Sequence, residues 1–301
     1  MIDSHAHLIS DDQEQYPQLA SDARIARAAT DGTMTAEQLL DDMDRNGITH
    51  AAIVQRGSIY GFDNSYVCDS ACRYPDRLAA VCSIDTSLKG SGDSVFYWVQ
   101  ERGAVGIRLM ELVPGAGTIW LDGSAALDAW AAAAELGIPV CVHFFPWNRI
   151  AGLTRLSAIL KAFPKLNVVV DHLGAISGND EPPHFGVDAL LENLAPFEGV
   201  TLKFTTIPLG RLYTSGIGCQ PLLRHIADIF GVQRMLWGSD ITQSPGSYAH
   251  MTLLARQAVS AFKPSEQDEL LAGTSRRLYG KAWLAPARQP APKRPDERFP
   301  A

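Results

Sequence analysis

The chain has 301 residues, 46% of them hydrophobic and 20% charged, and a formal net charge of -7. That is enough material for one large α/β domain with a sizeable core. An acidic balance without a basic stripe argues against a nucleic-acid surface, which needs clustered Lys and Arg to neutralise phosphates. No apolar run approaches the roughly 20 residues that span a bilayer. The opening residues place His and Asp where a signal peptide would carry its basic and apolar regions, so a cytoplasmic protein is expected. The five cysteines are odd in number and scattered, which suits reduced thiols; Cys68 and Cys72 share a helical spacing but have no second Cys/His pair beside them.

In chain order, "MIDSHAHL" reads as a first strand over Ile2–Leu8. His5 and His7 are two apart there and project to one face. The helical "TAEQLLDDMDRNG", with Gly47 as its C-cap, leads to a strand over Thr49–Gln55. "NSYVCDSACRYP" precedes a strand over Arg77–Asp85, and "SVFYWVQERG" one over Ala104–Met110. The Ala-rich "AALDAWAAAAELG" is a strong helix former and leads to Ile138–Phe144. "LTRLSAILKAFP" leads to Leu166–Gly174. Val200–Thr206 and Arg234–Asp240 complete the set.

The middle strands are continuous Val/Ile/Leu runs, as expected of parallel strands covered by helices. Eight strand–helix units in roughly 250 residues predict a single-domain (β/α)8 TIM barrel over residues 1–284. A doubly wound open sheet is the alternative, but no Gly-rich dinucleotide turn follows the first strand. Residues 285–301 are rich in Pro and charge and are expected to form a mobile tail.

In such a barrel the active site lies at the C-terminal ends of the strands, and here those ends are polar. They carry His5 and His7; Gln55, then Arg56 and Tyr60; Arg108 and Glu111; His143; Asp171 and His172; Lys203; and Asp240. His5, His7, His143 and Asp240 make an N,N,N,O set suited to one divalent ion such as Zn²⁺. Three neutral rings leave such an ion electrophilic enough to lower the pKa of bound water. Asp171 and His172 are adjacent, so their side chains should point oppositely, with His172 at the mouth. Arg108 and Lys203 suit an anionic group on a substrate. Each could instead pair internally, Arg108 with Glu111 or Asp85 and Lys203 with Asp171. Gln55 and Tyr60 are further candidates for substrate contact.

This ordered set resembles the amidohydrolase superfamily, with His-x-His on strand one, His on strands five and six, and Asp on strand eight. "IDSHAHL", "GIRLM", "VVVDHLG" and "MLWGSD" are most similar to its lactonase branch, which opens pyrone-dicarboxylate, sulfomuconolactone and sugar-acid lactones. In "GTSRRLYG", Thr274 neighbours a position where that branch usually has Asn. The resemblance implies a metal-dependent hydrolase of a small anionic lactone, using Zn²⁺ or else Mn²⁺. Asp240 would be its proton acceptor, and His172 a polariser of the carbonyl or a proton shuttle. The pyrone-dicarboxylate enzymes of the branch, with Tyr in place of His143, point to a metal-free pocket as the competing reading. A nonoxidative decarboxylase or hydratase of aromatic acids is the rival activity. A noncatalytic barrel binding an anionic small molecule is the rival of another class. Self-association is left open, and no partner beyond the small molecule is expected.

Overall fold

Each expected strand forms, inside its predicted limits, in the computed structural model. The structure describes residues 1–19, 32–112, 114–176, 184–216 and 218–284. The strands are β1 (Ile2–Ala6), β2 (His50–Val54), β3 (Leu78–Ser83), β4 (Gly106–Met110), β5 (Val140–His143), β6 (Val168–Val170), β7 (Val200–Thr205) and β8 (Met235–Gly238). They pair in parallel and in chain order from β1 to β8, with helices between them, which is the eight-unit barrel. The tail expected at 285–301 lies outside the described residues.

The alternation of side chains divides the apolar residues into two layers. Ile2, Ala52, Val54, Ala79, Val81, Cys141, Val169 and Leu236 form the inner layer, plugged by Tyr279 and Trp283 of the final helix Thr274–Trp283. Their neighbours of opposite parity, such as Ala51, Ile53, Ala80, Val142 and Trp237, pack outward against the helices. The helix Ala36–Asn46 starts on a Thr35/Gln38 capping box and stops at Gly47, whose φ of 69° makes it the expected C-cap. No helix among the described residues is long and apolar enough to cross a membrane.

Strand β6 is much shorter than the predicted Leu166–Gly174. His172, Leu173, Gly174 and Ala175 take φ of 53°, 54°, 66° and 56°, left-handed backbone that cannot continue a strand.

Candidate metal and active site

A cavity of about 170 Å³ opens at the C-terminal ends of the strands. Its polar wall is His7, Arg56, Arg108, His143, His172, Arg211, Gln243 and Asp240, and its apolar wall includes Met110, Leu112, Phe145, Ile176, Ile207 and Pro208. His5 is fully buried and lies outside this lining.

His7 Nδ1 lies 2.7 Å from the Val54 carbonyl oxygen. A carbonyl only accepts, so Nδ1 carries the ring proton, and Nε2 is left as a lone pair. Burial lowers the pKa of His7 against the pull of Asp240, so the ring is neutral near pH 7. That lone pair lies 3.3 Å from Asp240 Oδ1, and His5 Nε2 lies 3.5 Å from the same oxygen. Neither Asp240 Oδ1 nor His5 Nε2 has a hydrogen-bond partner, and both are buried. Asp240 Oδ2 is occupied, accepting from Ser244 Oγ at 2.7 Å.

Ligand atoms of His5, His7 and Asp240 all lie within 4.8 Å of one another. Three buried ligand atoms converging, with no proton between His7 Nε2 and Asp240 Oδ1, fit a divalent cation. Three protein ligands with an open position are the arrangement of catalytic zinc sites. His5, Asp171 and His172 form a second group of the same span, but Asp171 is already neutralised. Its Oδ1 lies 2.9 Å from Lys203 Nζ and its Oδ2 accepts from Arg108 Nε at 2.9 Å. Burial alone would raise the Asp171 pKa; Lys203, His5 and Arg108 together bring it well below the ordinary value.

His143 belongs to neither group. Arg108 Nη2 lies 2.6 Å from His143 Nδ1. Burial, reinforced by the Arg108 charge, holds this ring neutral. The expected four-residue set is therefore three clustered residues, with His143 beside them. Its ring stands 4.7 Å from that of His172, centroid to centroid.

The expectation that Asp171 and His172 face opposite ways does not hold: both turn into the site. Asp171 is extended at φ -68°, but the next residue is left-handed, which breaks the strand alternation. His172 Nδ1 is 2.7 Å from Thr205 Oγ1 and Nε2 is 3.5 Å from Arg108 Nη2. Burial holds its pKa at about 4 against the pull of Asp240 and Asp171. Asp240 also has a left-handed backbone, at φ 59°. Left-handed backbone at a non-glycine residue costs about 1–3 kcal/mol, and His172 and Asp240 both carry it. Asp240 is held there by its own N–H, which donates to the His5 carbonyl at 2.7 Å.

Lys203 is fully buried beneath the cavity, on Asp171 and 3.2 Å from His5 Nδ1, and does not line the wall. Arg108 lines the cavity, but its fork is engaged by Asp171 and His143. Its partner is thus neither Glu111 nor Asp85. Glu111 instead braces two loops, accepting from Gly115 N and Ala116 N at 3.0 Å each, from Trp147 Nε1 at 2.9 Å and from Asn148 Nδ2 at 2.7 Å. Gln55 and Tyr60 stand outside the cavity. Gln55 has the outward parity of Ile53 and donates to the Asp63 carbonyl; the Tyr60 hydroxyl accepts from Ser10 N at 2.8 Å.

Arg56 takes the inward place instead, donating to Thr242 Oγ1 and, at 3.0 Å, to Gln243 Oε1. Counting parity from Val54 finds it. Arg56 is among the strand-end candidates; Arg211 is not. It lines the cavity from the helix Thr206–Ser215 after β7, and no local spacing announces it.

A model of the Amidohydrolase family, Amidohydro_2, matches residues 2–281. Among solved structures, a probable 2-pyrone-4,6-dicarboxylic acid hydrolase from Acinetobacter baumannii with citric acid bound is similar. It is 21% identical with a TM-score of 0.71, and the match covers 93% of this chain and 98% of that one. An amidohydrolase from Burkholderia multivorans with bound zinc matches at 21% identity and a TM-score of 0.71, over 93% of this chain and 98% of its own. The 2,6-dihydroxybenzoate decarboxylase from Rhizobium is 14% identical at a TM-score of 0.65, over 93% and 99% of the two chains. At such identities the likeness speaks for the fold. No curated protein sequence matches. The family match runs over nearly the whole chain and agrees with the barrel: this protein belongs to the amidohydrolase family.

Proposed function

We propose that the protein is a metal-assisted hydrolase that opens the ring of a small anionic lactone. The observation that carries the metal is the meeting of His5 Nε2, His7 Nε2 and Asp240 Oδ1, buried and without a proton between the last two. A divalent ion there, zinc first and manganese second, would supply Lewis acidity and a more acidic water.

The chain's own groups do the rest. Asp240 Oδ1 accepts the proton of the attacking water and returns it to the departing ring oxygen. His143, with Nδ1 turned to Arg108, keeps its proton on Nε2 and donates to the oxygen that gains charge. His172 is neutral near pH 7 and anchored through Nδ1 on Thr205, so its Nε2 serves as a proton carrier. Arg211 and Arg56 favour an anionic substituent at the cavity wall, a task that Lys203 and Arg108 cannot fully share while they neutralise Asp171. An apolar wall of Met110, Leu112 and Phe145 suits the body of a compact ring.

The test is a panel of anionic lactones assayed by pH-stat on purified protein before and after chelation. Acid release that chelator abolishes and Zn²⁺ restores is expected. Full activity in demetallated protein would move the assignment to the metal-free mechanism. The resemblance to a decarboxylase fold makes carbon dioxide the second quantity to measure. Carbon dioxide from aromatic acids, with no acid from any lactone, would replace the lactonase reading.

A further inference from the structure

We propose that Asp3 is a positioning residue whose carboxylate bends β1, turning His5 and His7 into the barrel and setting them against Asp240. Ile2 packs in the inner apolar layer with Ala52 and Val54, whereas Ala6 and Leu8 pack in the outer layer with Ala51 and Ile53. Strict alternation would put Ile2, Ser4 and Ala6 on one face and His5 on the other, outward with Asp3. The alternation therefore inverts between Ile2 and Ala6. The pairing shows where: Asp3 is opposite Ala51 and Ala6 opposite Ile53, three steps on β1 against two on β2. One extra residue in a strand is a β-bulge, a device that re-aims side chains.

The cause is local. His5 N–H leaves the ladder and donates to Asp3 Oδ1 at 3.0 Å. The same oxygen accepts Ser239 N–H at 2.8 Å, and Oδ2 accepts the Tyr248 hydroxyl at 2.9 Å. A fully buried carboxylate thus joins β1, the end of β8 and the helix Tyr248–Val259. It does so at the seam where the ladder from β1 to β8 has its two ends. Gly238 lets His5 close on that seam: a Cβ there would stand 2.4 Å from His5 Cβ. The Asp240 N–H then donates to the His5 carbonyl at 2.7 Å, so the ligands from the two ends of the chain share one short network.

The assay rests on the metal reading, although the geometry does not. Zn²⁺ affinity is measured by competition with a chromophoric chelator, and the Co²⁺-substituted protein by visible absorption, for Asp3→Ala, Asp3→Asn and Tyr248→Phe. Asp3→Ala is expected to weaken Zn²⁺ binding by about 10- to 100-fold and to change the Co²⁺ spectrum. Asp3→Asn, whose amide oxygen still accepts both N–H groups, should rescue most of the affinity, with Tyr248→Phe between them. A folded Asp3→Ala protein with lowered thermal stability but unchanged Zn²⁺ affinity overturns the assignment. If Asp3→Ala does not fold, Tyr248→Phe decides: weakened binding supports the role, and wild-type binding overturns it. If the wild type takes up no ion, the metal reading fails by itself. A crystal structure of Asp3→Ala then settles the bulge, and one that keeps His5 inside the barrel sinks the proposal.

Discussion

Arg108 Nη2 lies 2.6 Å from His143 Nδ1, and this contact assigns the tautomer of His143. A guanidinium has no acceptor, so the ring nitrogen must accept and the proton sits on Nε2. His143 is then a donor beside the metal trio. His143→Ala should keep the zinc content of the wild type while turnover falls by about 100-fold, within the range for one catalytic donor. His7→Ala should lose the ion itself. Elemental analysis beside kinetics separates the two, and equal loss of zinc in both variants would return His143 to the ligand set.

Arg211 is exposed at the rim of the cavity and touches none of the proposed reacting atoms. Removing it should cost binding that is equal in ground and transition states. Arg211→Ala is therefore expected to raise KM by roughly 10-fold with kcat almost unchanged. The effect should shrink as salt screens the charge. A fall in kcat with constant KM would assign Arg211 to the chemical step.

The Lys203–Asp171 pair is fully buried at 2.9 Å, and Arg108 shares Asp171. Lys203→Met should destabilise the fold by about 3–5 kcal/mol, since it leaves a buried carboxylate short of a partner. Asp171→Asn strands two cations and should cost a similar amount. The double variant should be far less destabilised than the sum of the single ones. Denaturant unfolding measures the cycle; simple additivity would show that the pair is not energetically coupled.

Acid should destabilise the metal-free protein through its buried, neutral histidines. Burial depresses His172 to about 4, while the same ring in the unfolded chain titrates near about 6.5. Between those values the unfolded state binds the extra proton, so stability is full above the higher one and falls as pH drops towards the lower. For His172 alone the loss amounts to about 3 kcal/mol; His5, His7 and His143 act in the same direction. Thermal unfolding with chelator present should show the decline, and His172→Gln should flatten it. An unchanged slope in that variant would mean that His172 is not the group responsible.

By itself the sequence determined the eight strand–helix units and the polar residues that end the strands. Hydrophobic periodicity is a local property, and the barrel follows from repeating it. It also singled out His5, His7, His143 and Asp240, because those side chains terminate otherwise apolar runs; that His143 stands beside the other three was decided by the tertiary structure. Only the tertiary structure decided which neighbours share a face. The bulge at Asp3 and the left-handed turn at His172 each break the period of two on which parity counting depends, and each is met by residues far along the chain, Ser239 and Tyr248 on Asp3 and Thr205 on His172. Arg108 meets Asp171 and His143, rather than the acids near it in sequence, because β4, β5 and β6 are adjacent in the barrel. Arg211 reaches the cavity because a helix folds over the mouth. Hydrogen bonds and ion pairs between residues far apart in the chain leave no mark on local periodicity, and here they select the site's partners.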